Sequence, residues 1–450
     1  MHKKPRQNYS FILQAEAKFV DYEKLLSNFQ YAELRIEKSA ESSLNIKDGE
    51  IKHSSGTSYG ISVRVLEDGS WGFASGNTKI ETLLERAKRL AKLSKGEIKL
   101  TVPKQEKKYI SVKHEFADPE EKIKALLEGS KAMEKVSSRM LGCTDMKSKV
   151  EFYNSEGSEI IQESGYTYLS CSSVAKENNI IQRGSERAWS RAGFDEIDTV
   201  STARKAGEKA VRLVGAAASP KGRFTVVLDP EMTGVFSHEA VGHACEADAV
   251  VDKESILAGS LGKTIGNELV TIVDEPLAKD FGHYEYDDEG TRAKTTVLIE
   301  KGKVNDFINS METANTLGAE LNGHARAEDY SQVPIVRMSN TYFQRGESSK
   351  DEVFDIKEGV YLKGMRGGSV DTFSGGFMFK AEEAYEISNG SLGKIMRDVT
   401  ITGNILQTMK DVEAVGKDFG TSPGICGKFG QGVPVSDGGP HVRVKNITIG

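Results

Sequence analysis

The chain has 450 residues, with 60 basic and 66 acidic side chains and a net charge of −6. This mildly acidic balance argues against a nucleic-acid partner, because nucleic-acid binders usually present a basic face. No apolar run approaches the roughly 18 residues of a membrane-spanning helix, so we expect no membrane partner. The apolar run Phe11–Leu13 is too short for a signal peptide, and the four cysteines form no disulfide framework. We therefore expect a cytoplasmic protein with reduced thiols and two or three domains.

The first 95 residues predict a mixed segment of helices and short strands. An amphipathic helix is expected around Phe19–Phe29 and another at Ile80–Leu93, where the apolar side chains share one face. Asp48-Gly49 is a strong signal for a tight hairpin turn, and Asp68-Gly69 predicts a second turn. The strands expected around these turns are 31–37, 43–46, 60–66 and 71–74.

The next segment begins after a charged stretch, Lys95–Lys108, which predicts a linker. Asp118 is placed to cap a helix and Pro119 to occupy its first position. Four strand-like stretches follow within Lys149–Arg191, and a further helix is expected at Asp198–Leu213. The turns expected between those four strands are 155–157, 163–165 and 176–179.

The second half of the chain predicts a different architecture. Small residues and a proline at Ala216–Gly222 predict a domain boundary. A buried type of strand at Arg223–Leu228 is followed by Asp229 and Pro230, which predict the start of a helix. Short strands and turns dominate the remainder, so we expect mainly antiparallel β-structure and an α+β fold class. The predicted domains are an N-terminal mixed α/β domain, 1–220, with sub-segments at about 31–95 and 118–215, and a β-rich C-terminal domain, 221–450, that carries the metal-site helix.

The stretch Ser237–Asp248 concentrates residues capable of chemistry. It holds two of the 8 histidines, His238 and His243, with Glu239 beside the first. Imidazole is a common zinc ligand, and a neighbouring glutamate can act as general base, unless it is simply a solvated helix acid. Five positions on a regular α-helix turn the second histidine about 140° away from the first. Both can bind one metal only if the helix breaks or widens into a π-turn, most easily at Gly242. The alternative is an amphipathic helix with two unrelated histidines.

A catalytic zinc site needs three protein ligands and one open position, so a third ligand is required. The nearby candidates are Cys245, Glu246 and Asp248, although Cys245 follows His243 by two residues and points to another side of a helix. The distant candidate is Cys426, in a glycine-rich loop that permits close approach to a metal. The residues alone leave the choice open, because a lone cysteine is more often a small buried hydrophobe.

Three other features carry weaker signals. Asp287–Glu289 has the carboxylates of a second metal site, but Gly290 after it favours an acidic turn or part of a substrate wall. Lys428 and Arg337 are candidates to pair with a peptide carboxylate. Exposed strand edges in the β-rich half suit the binding of a peptide by strand addition.

Short sequence blocks follow one another in a fixed order along nearly the whole chain. These blocks are 31–35, 48–50, 60–64, 68–74, 237–248, 286–291, 337–341, 426–428 and 431–432. In this order and number they resemble the TldD/PmbA metallopeptidases, on the TldD side of that family. The five-residue spacing of the histidines is that family's own H-E-x-x-x-H pattern.

The resemblance implies a zinc peptidase with one zinc ion per chain. His238, His243 and Cys426 are the metal ligands that it implies, and Glu239 is the implied general base and acid. It also implies a dimer, either of two identical chains or of this chain with a PmbA-like partner. The substrates expected from the resemblance are small or unfolded peptides.

Two hypotheses follow for the function. The first is a zinc-dependent peptidase that hydrolyses short or unfolded peptides with Glu239 handling the proton. The second is a non-catalytic peptide-binding or regulatory protein with a structural metal. Structural zinc sites are closed by four protein ligands, so a fourth ligand would favour the second hypothesis. A topoisomerase-associated regulator gains no support from the charge balance.

Overall fold

The computed structural model describes residues 21–450 as helices combined with mostly antiparallel sheets. This architecture confirms the expected α+β fold class. The α-helices of the described chain are α1 (Tyr22–Leu26), α2 (Ile80–Ala91), α3 (Pro119–Ala132), α4 (Thr199–Val214), α5 (Pro230–Val235), α6 (Ala247–Val251), α7 (Met311–Leu317), α8 (Lys350–Phe354) and α9 (Ile405–Lys410). Within residues 21–450, no helix combines the length and apolar character needed to cross a bilayer.

The strands fall into two groups along the chain. The first group is β1 (Tyr31–Lys47), β2 (Glu50–Glu67), β3 (Ser70–Gly76), β4 (Lys107–Ile110), β5 (Ser138–Asn154), β6 (Glu159–Glu177) and β7 (Ile180–Ser190). The second group is β8 (Ala217–Ala218), β9 (Gly222–Leu228), β10 (Ile272–Asp274), β11 (Thr296–Glu300), β12 (Lys303–Val304), β13 (Ala325–Arg326), β14 (Ile335–Val336), β15 (Asn340–Phe343), β16 (Glu358–Asp371), β17 (Gly376–Ser388), β18 (Ser391–Arg397), β19 (Thr400–Asn404), β20 (Val412–Val415), β21 (Gly420–Lys428), β22 (Gln431–Gly439) and β23 (Val442–Ile449).

The first group forms one sheet in the order β3-β2-β1-β5-β6-β4, with β7 paired to β6. α2 packs on β2 and β3, whereas α4 packs on β6 and β7. The predicted Asp118 cap of α3 is confirmed, and α4 forms where a helix was expected, with the Asp198 side chain as its cap. Asp48-Gly49 and Asp68-Gly69 turn with positive φ at both residues, as tight hairpins require.

Several boundaries predicted in this half are wrong. The two strands expected at 31–37 and 43–46 are one continuous β1, because β2 and β5 pair with it along its polar middle. The turn expected at 163–165 is absent, since β6 runs through it and leaves three strands where four were expected. Gly165 is small for a packing reason, because a Cβ there would lie 2.7 Å from the His114 side chain.

Two further predictions are changed at their edges. The linker predicted at Lys95–Lys108 ends in a short strand, β4, that pairs in parallel with β6. The helix predicted around Phe19–Phe29 is shorter, since α1 ends at Leu26. The first two positions of that prediction lie outside the described residues.

The C-terminal half encloses the chain's main core between two sheets. One sheet has the order β16-β9-β23-β19-β17-β18-β8 with β20 on β23, and the other has the order β12-β11-β10-β15-β22-β21. α5 contacts β16 of the first sheet and β22 of the second, so the helix that carries the histidines is held from both sides. The domain division at residue 220 stays a prediction.

An acidic turn joins the two halves of the chain. Asp287 is buried and accepts hydrogen bonds from backbone N–H groups of its own turn and of Ala325. Asp288 pairs with Arg35 at 3.0 Å, and Glu289 pairs with Arg64 at 2.6 Å, both arginines lying on the N-terminal sheet. All three carboxylates are thus engaged, which fits the turn interpretation of 287–289 and leaves no free ligands for a second metal.

Replacing Arg64 by Met should destabilise the fold strongly. Arg64 also pairs with Glu33 at 2.7 Å, so the change removes the direct ion-pair partner of both buried carboxylates, Glu33 and Glu289. Breaking such a buried pair costs about 3–5 kcal/mol, measured as the free energy of unfolding in urea. The control is Lys52→Met, since Lys52 and its partner Glu50 are largely exposed and should contribute little. Equal losses in the two variants would contradict a buried anchoring role for Arg64.

Candidate metal centre

The helix that carries both histidines starts with a cap and ends in a widened turn. Asp229 accepts a hydrogen bond of 2.8 Å from the backbone N–H of Met232 and so caps α5. α5 continues into a π-helix, Phe236–Gly242, which confirms the expected widening. The rings of His238 and His243 therefore lie on the same side, with centroids 5.2 Å apart and planes at 83°.

Gly242 matters in this turn because of packing, not because of its backbone conformation. Its φ of −58° is an ordinary helical value, so the backbone there does not demand glycine. A Cβ at this position would lie 2.0 Å from Sδ of the fully buried Met338. The widened turn can therefore press against the segment before β15 only because Gly242 has no side chain.

The third candidate ligand comes from a hairpin far away in the sequence. β21 and β22 pair with Cys426 opposite Val433, and Cys426 is buried. Its Sγ lies 3.6 Å from Nε2 of His243. Ligand atoms of His238, His243 and Cys426 all lie within 4.8 Å of one another. The structure thus brings together three side chains of which two are separated by 183 residues.

The other candidate ligands have different surroundings. Cys245 is fully buried in the C-terminal core. Glu246 accepts a hydrogen bond from Nδ1 of His243 at 3.0 Å and pairs with Nζ of Lys428 at 3.1 Å. Asp248 pairs with the same ammonium group at 2.7 Å. Glu246 thereby orients the His243 ring, and Lys428 ties the helix to the Cys426 hairpin. Sequence reasoning missed this role, although an acid three positions after a candidate histidine ligand was a signal for it.

A buried arginine fixes the hairpin from the other side. Arg337 is fully buried and donates hydrogen bonds to the backbone carbonyls of Cys426 and Gln431, the latter at 3.1 Å. The expectation that Arg337 and Lys428 pair with a peptide carboxylate therefore does not fit the structure. Both cations are engaged within the chain and hold the strand that carries Cys426.

Glu239 faces a cleft of about 820 Å³ beside the histidines. Its side chain is 40% exposed, and its Oε2 lies 3.8 Å from Nε2 of His243. Both halves of the chain line the cleft, the N-terminal sheet through β6 and β7 and the C-terminal half through α5, β16 and β21. A partly exposed carboxylate therefore stands next to the clustered ligand atoms, on the side that opens into the cleft.

Sequence comparison places this geometry in a known family. The chain matches the models of PmbA/TldA metallopeptidase domain 1 over residues 32–94, of the central domain over 113–214 and of the C-terminal domain over 221–450. The chain belongs to the TldD/PmbA metallopeptidase family. The clustered histidines and cysteine lie in the part that matches the C-terminal domain.

Individual members of the TldD/PmbA family are similar over their full length. A metalloprotease of Methanothermobacter thermautotrophicus is 42% identical over 434 residues, which are 94% of this chain and 95% of its own. A zinc metalloprotease TldD homolog of Saccharolobus solfataricus is 31% identical over 93% of this chain and 96% of its own. The crystal structure of TldE from Thermococcus kodakarensis has a TM-score of 0.77 at 22% identity, covering 95% of this chain and 99% of its own, which shows a shared fold.

In this TldD/PmbA chain the clustered groups alter each other's ionisation. Burial raises the pKa of the Cys426 thiol, but the adjacent His238 and His243 rings outweigh burial and lower that pKa to about 5. Burial lowers the pKa of His243, whereas the carboxylate of Glu246 raises it well above its usual range. The metal-free site therefore favours a thiolate, which is the form of cysteine that binds metals.

Alkylation of the metal-free protein should report this thiolate. Because the pKa of Cys426 is about 5, the rate at which iodoacetamide alkylates this thiol should stay nearly constant down to about pH 6 and fall only near pH 5. An ordinary thiol would lose its rate below about pH 8.5. Peptide mapping by mass spectrometry measures the rate at each cysteine. Cys245 is the internal control, since its thiol is fully buried and its pKa is raised by that burial. A Cys426 midpoint near that of an ordinary thiol would contradict the assignment.

Proposed function

We propose that this chain is a zinc-dependent peptidase that hydrolyses short or unfolded peptides. The observation that carries the proposal is the convergence of His238, His243 and Cys426 at the wall of a cleft that Glu239 also lines. Membership of a metallopeptidase family and the zinc metalloprotease name of the Saccharolobus relative support the metal and the reaction.

The three residues fit a zinc ion in donor type and number. Two imidazoles and one thiolate are ligands that zinc accepts, and three protein donors leave a position open for chemistry. Nδ1 of His243 is engaged with Glu246, which leaves Nε2 for the metal, as is usual for metal-bound histidine. Nδ1 of His238 is buried without a hydrogen-bond partner in the described chain. Zinc bound there would polarise a peptide carbonyl and acidify a water molecule.

Glu239 is the residue that we assign to proton transfer. It belongs to the same widened turn as His238, and its 40% exposure lets it contact both water and substrate. Its carboxylate would take a proton from the attacking water and deliver that proton to the leaving amine nitrogen. The position beside His243 keeps this transfer close to the reacting carbonyl.

An extended peptide fits the cleft as an added strand. β21 is the last strand of its sheet and pairs only with β22 in the described chain. Residues 422–427 of β21, including Cys426, line the cleft. A peptide that paired with this free edge would be held through its backbone, next to the candidate ligand, with little demand on its side chains. Such binding favours short or unfolded chains.

The alternative, a binding protein with a structural metal, has less support. A closed structural site needs a fourth protein ligand. Within residues 21–450, the cluster of potential ligands contains only the two histidines and the cysteine. We also propose that the chain acts as a dimer, with itself or with a PmbA-like chain; a cytoplasmic location remains a prediction.

Replacing Glu239 by Gln should abolish hydrolysis without removing the metal. We expect peptide cleavage to fall by about 10²–10⁴-fold, since general acid–base catalysis contributes that much. Zinc content measured by mass spectrometry should match that of the wild type. The control is Glu268→Gln, an exposed glutamate outside the cleft, which should leave both quantities unchanged. Retained cleavage in Glu239→Gln, or a wild type without metal, would contradict the proposal.

Replacing Glu246 by Gln should weaken zinc binding. The change removes the charge that orients His243, and loss of such a partner costs about 10–100-fold in metal affinity. Competition with a chromophoric chelator measures the affinity. Lys428→Met is the companion variant, because it removes the link between Glu246 and the Cys426 hairpin and should weaken zinc binding in the same direction. Unchanged affinity in both variants would show that the network does not support the site.

A further inference from the structure

The cleft contains charges of both signs, and most of its cations are already paired. Arg187 forms an ion pair of 2.6 Å with Glu231 at the start of α5. Glu186, on the same strand, pairs with Lys209 at 2.9 Å. Arg183 differs, because it lines the cleft, is exposed and forms no ion pair with any residue of 21–450. An unpaired guanidinium in a substrate cleft is available to a ligand.

The Arg183 guanidinium is held in place by a single contact. Its Nε donates a hydrogen bond of 2.8 Å to Oγ of Ser172 on the neighbouring strand β6. Its two terminal nitrogens have no partner within the described chain. Two free N–H groups in a fixed fork match the two oxygens of a carboxylate. The side chain is therefore oriented but its binding capacity is not used.

A second arginine of the cleft packs against the strand that carries Arg183. Arg366 comes from β16 and donates a hydrogen bond to the backbone carbonyl of Arg183. Its other terminal nitrogen lies 3.4 Å from Oε1 of Gln182. Its ion pair with Asp398 is long, at 3.8 Å, and Asp398 is 59% exposed. Two strands from different halves of the chain thus each place an arginine among the residues that line the cleft.

We propose that Arg183, in a cleft that Arg366 also lines, is a subsite for a carboxylate of the substrate. The inference rests on the proposed peptidase function and names the substrate class: peptides with a carboxylate near the cleaved bond. An acidic side chain and a free C terminus supply the same group, so the subsite accepts either. The edge of β21 then binds the peptide backbone, and the arginines favour peptides that carry a carboxylate.

The subsite lies on one side of the candidate metal centre. Arg183 and Arg187 are four residues apart on β7, which is roughly 13 Å along an extended strand. Arg187 is bound to α5, the helix that leads to the histidines, so Arg183 is displaced from that helix along β7. Only substrate residues on one side of the cleaved bond should reach the arginines.

Quenched fluorescent peptides of equal length test the subsite. In one series the C terminus is amidated, and a single Glu, Gln or Lys moves one position at a time on either side of the cleaved bond. A second series has no acidic side chain and compares a free with an amidated C terminus. For wild type we expect kcat/KM about fivefold higher for Glu than for Gln on one side only, a typical effect of a solvent-accessible charge pair.

Arg183→Glu should reverse the preference, so that Lys peptides are cleaved faster than Glu peptides. Arg89→Glu is the matched control, because Arg89 is exposed on α2, away from the cleft, and the same change in net charge should leave the preference intact. The second series then shows which source of carboxylate is used: a gain with the free C terminus assigns the subsite to chain ends, and a gain confined to the first series assigns it to acidic side chains.

Measurements of peptide binding test the carboxylate subsite independently of the proposed peptidase function. Fluorescence anisotropy of the same peptide sequences, labelled with the fluorophore but without the quencher, should show the same charge preference with Glu239→Gln, and the double variant with Arg183→Glu should reverse it. If wild type loaded with zinc cleaves no peptide of any charge, the peptidase function fails and the binding series alone judges the subsite. A ranking that Arg183→Glu does not change, or a preference of equal size on both sides of the bond, would overturn the subsite.

Discussion

The widening of one helical turn is the constraint on which the candidate site depends. A regular α-helix would direct two histidines five positions apart to different faces. The π-helix at Phe236–Gly242 brings both rings to one side, and it can form because Gly242 offers no Cβ to the buried Met338. The two sheets that enclose α5 also contact this turn, so the surrounding core supports an uncommon backbone geometry.

Buried charges join the other half of the site to that turn. The hairpin of Cys426 is connected to the helix through Lys428, Glu246 and Asp248, and its backbone is fixed by Arg337. Charges that leave water need partners, and each of these groups has one within the chain. The same principle applies where the halves of the chain meet, since arginines of the N-terminal sheet pair with the acidic turn 287–289. Contacts of charged groups with partners inside the chain therefore position the candidate ligands, and they also hold the two halves of the chain together.

Signals carried by neighbouring residues predicted the local structure well. The caps at Asp118 and Asp229 and the hairpin turn at Asp48-Gly49 formed as expected, because each involves groups within a few positions. The predictions were wrong where contacts with residues distant in the sequence determine the local structure. Pairing on both sides keeps the polar middle of β1 extended, and Gly165 is small to accommodate His114 rather than to make a turn.

The sequence by itself determined the α+β class, the start of the site helix and the condition that this helix must widen or break if both histidines are to bind one metal. Helix geometry and spacing left the third residue open, and tertiary structure decided which one lies beside them. Cys245, Glu246 and Asp248 are nearer in sequence, but core packing and ion pairs occupy them, whereas a hairpin 183 residues beyond His243 brings Cys426 to 3.6 Å. Spacing along a chain fixes directions within one helix, but it contains no information on which distant strand will pack against that helix.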